Sequence, residues 1–125
     1  TKFKKDFLLA MGCFPGKRGA KSEEGINQSV DILKNGDLLM IFPEGTRNGL
    51  AKGVKPKKGA ARIALKAQVP IIPIGINGKF KFMSKIKIKI GKPIDLSKYY
   101  NIENESQVLA EITDNVMKEV LELTK

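Results

Sequence analysis

The chain has 125 residues, 42% of them hydrophobic, and carries a formal net charge of +10 with one cysteine and no histidine. This size and composition predict a single globular domain with a real core rather than a disordered chain. The absence of histidine excludes His-based acid–base catalysis, His-activated nucleophiles and the usual His-containing metal sites from this chain. No apolar stretch approaches the roughly 20 residues of a membrane-spanning helix.

The charge is spread unevenly along the chain. Residues 1–58 carry 12 lysines and arginines against 6 acids, residues 59–98 carry 9 against 1, and residues 99–125 carry 2 against 6. A basic surface attracts nucleic acid, anionic lipid headgroups or phosphate-bearing substrates, and charge alone does not choose among them. We divide the single domain into a basic, motif-bearing α/β core over residues 1–98 and an acidic C-terminal helix over residues 99–125.

Two helices are predicted before the first strand. Apolar residues at helical spacing predict a helix over residues 2–11, and Cys13 just beyond it is interpreted as a small core residue of a reducing compartment. A glycine-rich turn over residues 12–19 presents Lys17 and Arg18 to a ligand. The alternative is a solvated loop in which these two residues are ordinary surface cations. Ser22 is a predicted N-cap for the second helix, which ends at Gly36.

The apolar run at residues 38–42 predicts a buried strand that stops at Pro43. In open α/β sheets, ligands bind where such a strand opens into a loop. The turn at residues 44–47 is therefore a candidate ligand site, in which Gly45 allows close approach of the backbone and Arg47 offers a planar fork for phosphate. The alternative is a surface turn in which Glu44 and Arg47 pair in solvent.

A basic loop over residues 48–57 leads to an alanine-rich helix over residues 58–67, and the helix start, with Lys57 and Lys58, is a natural anion site. A second buried strand is predicted over residues 69–76, where two prolines indicate an edge, a bulge or an interrupted ladder.

Residues 79–82 and 85–90 alternate between lysines and apolar residues, which predicts strands with one apolar and one cationic face. The lysines either block edge-to-edge aggregation or face a membrane or another polyanion. A long amphipathic helix follows over residues 106–123, with Val108, Leu109 and Ile112 on its apolar face.

Taken together, these segments resemble the glycerolipid acyltransferase family, in particular its 1-acyl-glycerol-3-phosphate (lysophosphatidic acid) acyltransferases. The resemblance covers roughly residues 1–95 and is carried by blocks in the family's order: Gly12-Cys13-Phe14-Pro15 leading to Arg18-Gly19, Phe42-Pro43-Glu44-Gly45-Thr46-Arg47, Lys58-Gly59, and Val69-Pro70-Ile71-Ile72-Pro73. It implies an α/β fold with a mixed, partly parallel sheet flanked by helices, incomplete at its N-terminus.

The resemblance also implies a reaction and its site. The family moves an acyl group from acyl-CoA or acyl-carrier protein to a hydroxyl of a glycerol phosphate, as a step in phospholipid synthesis and without a metal or bound cofactor. The acceptor's phosphate and glycerol would be held by Arg18, Glu44, Gly45, Thr46 and Arg47, with Lys58 as a weaker candidate. Peripheral binding to anionic membrane at the cytoplasmic face is expected, and nucleic acid is not expected as a partner.

The sequence departs from the family pattern in two places. The position before the block-two arginine is commonly acidic in the family, whereas here it is Lys17, so Arg18 has no neighbouring carboxylate. The family's catalytic His, followed after four residues by Asp, would lie upstream of these blocks, and this chain has no histidine. We expect a bacterial-type C-terminal fragment that lacks the catalytic pair and is inactive alone, rather than a degenerate homologue that has lost the pair. The alternative is a non-catalytic basic module that binds nucleic acid or anionic membrane.

Overall fold

The computed structural model describes residues 1–13, 23–46, 49–79 and 81–125. Within these residues the chain forms helices α1 (Lys2–Ala10), α2 (Glu23–Lys34), α3 (Gly59–Ala67) and α4 (Glu105–Leu123). Strands β1 (Ile74–Asn77) and β2 (Lys87–Ile90) form an antiparallel sheet, and single 3-10 turns lie at Leu50–Lys52 and Ser97–Tyr99. Helices and a sheet in one chain agree with the predicted α/β class.

The hydrophobic core lies between α3, α4 and the segment that precedes α4. Leu96 and Ile112 are its most deeply buried large side chains, at 0% and 1% exposure. Ala61 and Ala64 of α3 are buried in this core against residues of α4, and their small side chains permit a close approach of the two helices. The predicted apolar face of α4 is confirmed, because Val108, Leu109, Ile112 and Val116 are all buried.

The helix ends follow from local sequence. Gly36, with φ of +87°, ends α2 as predicted, and its N–H donates to the Leu33 carbonyl at 3.1 Å. Asn104 caps α4 by accepting a hydrogen bond from the Gln107 N–H at 3.3 Å. The predicted N-cap Ser22 lies outside the described residues.

The sheet pairs β1 and β2 in the register Ile74 to Ile90 and Ile76 to Ile88. The prolines interrupt the ladder before β1, as predicted: Ile71 makes an isolated bridge to Ile94, and only β1 continues as a strand. The segment over residues 79–82, predicted as a strand, forms none within its described residues.

The two faces of this sheet differ in what covers them. A Cβ on Gly75 would lie 2.5 Å from the Leu123 Cβ, and the Asn77 side-chain amide donates to the Thr124 carbonyl at 2.6 Å. The face with Gly75, Asn77 and the β2 lysines therefore lies on the end of α4. The opposite face, formed by the isoleucines of both strands, is uncovered within the described residues: Ile74, Ile76, Ile88 and Ile90 are 36–69% exposed.

Three predictions of burial are wrong. The second predicted buried strand, residues 69–76, is a strand only from Ile74 onward, and its Ile72, Ile74 and Ile76 are 48%, 36% and 39% exposed because no described segment covers their face. The run at 38–42 forms no strand, and Leu38, Met40 and Phe42 are 94%, 74% and 66% exposed. A strand is buried only when neighbours cover its faces and pair its edges, and no described segment pairs with this one. Cys13, interpreted as a core residue, is exposed because α1 buries no side chain.

Among the described residues, no helix has both the length and the apolar composition that crossing a bilayer requires. The same part of the chain contains no group of three or more acidic or cysteine side chains placed to hold a metal ion.

Candidate functional site

The candidate site begins with a tight turn at the end of the apolar run. The Gly45 N–H donates to the Phe42 carbonyl at 3.1 Å, and Gly45 takes φ of +65°. This left-handed conformation is costly for any residue that carries a Cβ. The glycine therefore fixes the direction in which Glu44 and Thr46 leave the apolar run.

Glu44 anchors the loop that follows the turn. Its Oε2 accepts a hydrogen bond from the Leu50 N–H at 3.1 Å, where the first 3-10 turn begins. Gly49 lies against the turn so closely that a Cβ there would be 3.1 Å from the Glu44 Cβ and 3.2 Å from the Thr46 Cγ2. Glu44 is half-buried, and no cation within the described residues pairs with its carboxylate. Its role in the described structure is therefore to position the backbone of the loop.

Lys57 joins the far end of this loop to the turn. Its N–H donates to the Pro43 carbonyl at 2.7 Å. Its aliphatic stem lies across Gly45, with Cγ and Cε at 3.0 and 3.1 Å from the position a Cβ of residue 45 would occupy. Lys57 is exposed and forms no ion pair in the described part of the chain. A lysine is thus held at the turn with its charge free for a ligand.

The start of α3 lies next to these residues. Lys58 is its N-cap residue and is exposed, and the first turn contains no acid. The N–H groups of Gly59 and Ala60 have no acceptor among the described residues. Free N–H groups and the positive end of the helix dipole favour an anion at this position.

The turn is packed firmly onto the helices beneath it. Pro43, Lys57 and Ala60 line a cavity of about 10 Å³ together with residues of α3, α4 and the bridge before β1: Ala61, Ile71, Thr113 and Val116. This volume is below what any organic ligand needs and close to the minimum for one water. A ligand of the turn would therefore bind on its outer surface.

The structure brings together only part of the predicted site. Glu44, Gly45 and Thr46 form one turn, and Lys58 lies at the adjacent start of α3. Arg18 and Arg47 lie outside the described residues, so their roles stay predictions, as does a pair between Glu44 and Arg47. Lys57, which the sequence placed only at a helix start, is the cation that contacts the turn.

A separate charged cluster connects three helices away from this turn. Arg62 on α3 pairs with Glu23 of α2 at 2.7 Å and with Glu105 of α4 at 3.4 Å, and Lys66 also reaches Glu23 at 3.4 Å. Hydrogen bonds from Lys66 and Arg62 hold the pKa of the Glu23 carboxyl below its ordinary value. The contacts join helix to helix, so we interpret the cluster as structural.

Comparison with known proteins identifies the family. A family model described as Acyltransferase matches residues 1–77, which include the turn, its loop, α3 and β1. The chain belongs to this acyltransferase family. No solved structure matches this acyltransferase chain.

Curated relatives of this acyltransferase chain carry one name in several kingdoms. A 1-acyl-sn-glycerol-3-phosphate acyltransferase of Bacillus subtilis is 29% identical over 123 residues, covering 94% of this chain and 60% of that protein. A chloroplastic protein of that name from Arabidopsis thaliana is 32% identical over 80% of this chain and 32% of its own length. The alpha form from Mus musculus is 43% identical over 62% of this chain and 27% of its own. The chain thus spans less than two thirds of each of these relatives.

Proposed function

We propose that this chain carries the acceptor-binding part of a 1-acyl-sn-glycerol-3-phosphate acyltransferase, an enzyme of phospholipid synthesis. The observation that carries the proposal is the contact between Lys57 and Gly45, which places a cation and the free N–H groups at the start of α3 beside one exposed turn. A phosphate monoester suits such a site, because lysines and free backbone N–H groups occupy the same short stretch of chain beside the turn. The names of the relatives support a glycerol phosphate as the molecule that carries this phosphate group.

Each residue of the turn has a proposed role. Gly45 lets the ligand approach the backbone, and the hydroxyl of Thr46 is available to hydrogen-bond a phosphate or glycerol oxygen. Glu44 cannot attract a phosphate; it keeps the loop folded through Leu50 and can accept a hydrogen bond from a glycerol hydroxyl. Lys57 and Lys58 supply positive charge, and we extend this role to Arg18 and Arg47.

The remaining partners are proposed from family membership and charge. The acyl donor is acyl-CoA or acyl-carrier protein, and the site is peripheral, at the cytoplasmic face of an anionic membrane. The mixed, partly parallel sheet of the complete domain would pair the exposed run at 38–42 with a neighbouring strand. That pairing would give the apolar run the burial that its sequence predicts.

We further propose that this chain does not transfer an acyl group by itself, because it has no histidine to remove the proton of the acceptor hydroxyl. The test is an acyl-CoA-dependent assay of the purified chain with lysophosphatidic acid. We expect no turnover above the uncatalysed rate. Turnover that is lost in a Thr46→Val variant would show that the chain is catalytically complete and would overturn this part of the proposal.

A further inference from the structure

The connection between β1 and β2 projects an apolar pair into solvent. Phe82 and Met83 are 97% and 90% exposed, which leaves nearly their whole side chains without protein contact. An exposed Phe-Met pair at the end of a hairpin is unfavourable in water, and exposed apolar groups of this kind often mark an interaction site. We call the described residues of this connection, 79 and 81–85, the hairpin tip.

The hairpin tip is an ordered turn. The Ser84 hydroxyl oxygen accepts a hydrogen bond from the Lys81 N–H at 3.0 Å and lies 2.6 Å from the Lys79 carbonyl. At the base of the tip, the two chain segments that lead into and out of it approach closely: a Cβ on Gly78 would lie 2.7 Å from the Lys85 carbonyl oxygen. The positions of Phe82 and Met83 are therefore set by the hairpin itself.

Met83 adopts a backbone conformation that does not suit it. Its φ of +60° is left-handed, a region that glycine and asparagine favour and that side chains with bulk avoid. A glycine would adopt this backbone conformation without strain, and a polar residue would avoid exposing an apolar side chain to water. The presence of methionine is explained if its side chain is needed by a partner.

The charged residues that flank the apolar pair in the sequence are all positive. Lys79, Lys81 and Lys85 are exposed, and none of them forms an ion pair in the described part of the chain. The sequence has no acidic residue between Glu44 and Asp95. An apolar point with cations around it complements an anionic lipid surface, where the lysines meet phosphates and the apolar groups enter the acyl boundary.

We propose that the hairpin tip inserts Phe82 and Met83 into the interface of an anionic bilayer, with Lys79, Lys81 and Lys85 on the lipid phosphates. This proposal rests on the membrane association proposed above and names the surface that provides it. A second copy of the chain is disfavoured because the tips would bring like charges together, and nucleic acid would gain little from a methionine that cannot stack.

The experiment exploits the absence of tryptophan from the chain. Phe82→Trp places a single fluorophore at the tip, and Ile102→Trp places one at a half-exposed control position. The control lies in the segment before α4, whose other end contacts the sheet, so it is not part of the hairpin tip. Each variant is titrated with vesicles of phosphatidylglycerol or of phosphatidylcholine.

We expect a blue shift in the emission of the Phe82→Trp variant with phosphatidylglycerol vesicles, quenching by brominated lipid, and no shift of the Ile102→Trp control. Phosphatidylcholine vesicles should give at least tenfold weaker binding. Met83→Gly should weaken vesicle binding severalfold while leaving the unfolding midpoint unchanged or higher, a combination that a merely structural role would not produce.

Three results would overturn the proposal. One is binding to phosphatidylglycerol vesicles without a shift at position 82, and another is no vesicle binding at low salt. The third is a shift at position 82 caused by duplex DNA or by self-association but not by vesicles. Each of these results leaves binding of a soluble glycerol phosphate at the Gly45 turn unaffected, so the two proposals fail separately.

Discussion

The Lys57 side chain lies across Gly45, with its Cγ 3.0 Å from the position that a Cβ of residue 45 would occupy. Gly45 also has φ of +65°, so two separate features disfavour a side chain at this position. One is the left-handed backbone, and the other is the space that the lysine stem fills.

Gly45→Ala tests both features. The left-handed backbone alone should cost about 1–2 kcal/mol of unfolding free energy. Gly53 is a matched control, because its φ is +70° and nothing lies within 4 Å of a Cβ built there. We expect Gly45→Ala to destabilise more than Gly53→Ala in urea unfolding, and the excess to disappear when Lys57 is also replaced by alanine. Equal costs in both backgrounds would contradict the close contact.

Replacing Glu44 should loosen the loop that precedes α3. Its carboxylate accepts the Leu50 N–H at 3.1 Å, and losing one such bond costs about 1 kcal/mol. We expect Glu44→Ala to speed amide exchange at Leu50 by roughly the matching factor of 5. Glu44→Gln, which keeps an acceptor oxygen, should retain most of the protection. Unchanged exchange in the alanine variant would show that the bond does not hold the loop.

Truncating an apolar side chain should cost much more unfolding free energy in the core than on the uncovered face of the sheet. Leu96 is 0% exposed, so Leu96→Ala should cost about 2–5 kcal/mol of unfolding free energy. Ile88 is 63% exposed on the uncovered face of the sheet, so Ile88→Ala should change the free energy by less than about 1 kcal/mol. Calorimetry or urea unfolding of the isolated chain measures both. A large loss from Ile88→Ala would indicate that this face is covered in solution.

Acid should weaken the contact between α2 and α3. Hydrogen bonds from Lys66 and Arg62 lower the pKa of Glu23 from its ordinary value of 4.5. A lowered folded-state pKa means that the unfolded chain binds the proton more tightly, so the stabilisation is present above about pH 4.5 and is lost as the pH falls through the folded value. We expect Glu23→Gln to flatten the decline of the urea midpoint in this window.

The pKa values of two further carboxyls are also lowered in the folded chain, so the comparison of variants is needed to isolate Glu23. Hydrogen bonds from the backbone N–H and the hydroxyl of Ser97 lower the pKa of Asp95, and a hydrogen bond from the Lys125 ammonium lowers the pKa of Glu122. Glu24→Gln serves as the control, since it removes the same charge at the next residue without removing a described ion pair. If Glu23→Gln and Glu24→Gln shift the acid profile equally, the contribution of the ion pair is refuted.

The sequence predicts elements well where local periodicity and burial agree. The spacing of Val108, Ile112 and Val116 places α4 correctly, and the alanine-rich run identifies α3. These elements bury their faces against each other within the described chain, so the pattern and the structure have the same cause.

The predictions fail where burial depends on neighbours that the pattern does not specify. The run at 38–42 is apolar enough for a buried strand, but its pairing partner is not among the described residues and its side chains are exposed. Strand pairing is non-local, so a single segment cannot indicate which edge it joins. The same reason explains the hairpin, whose alternation is correct but whose lysine face, not its isoleucine face, lies on α4.

The candidate site also has one part that local sequence predicts and one part that depends on non-local contacts. The turn at Gly45 follows from a proline and a glycine after an apolar run, both local signals. The choice of Lys57 over Lys58 as the contacting cation depends on the loop returning to Pro43, and no sequence pattern among the loop's lysines distinguishes them.

The measurement that tests the central proposal most directly is a titration of the ¹⁵N-labelled chain with lysophosphatidic acid below its micelle concentration, followed by NMR amide shifts. The control ligand is the matching monoacylglycerol, which lacks the phosphate. We predict saturable shifts of the amides of Gly45, Thr46, Gly59 and Ala60 with the phosphate-bearing ligand, and none at these positions with the control. Equal shifts with both ligands, or shifts confined to residues away from the turn, would contradict an acceptor-phosphate site at Gly45.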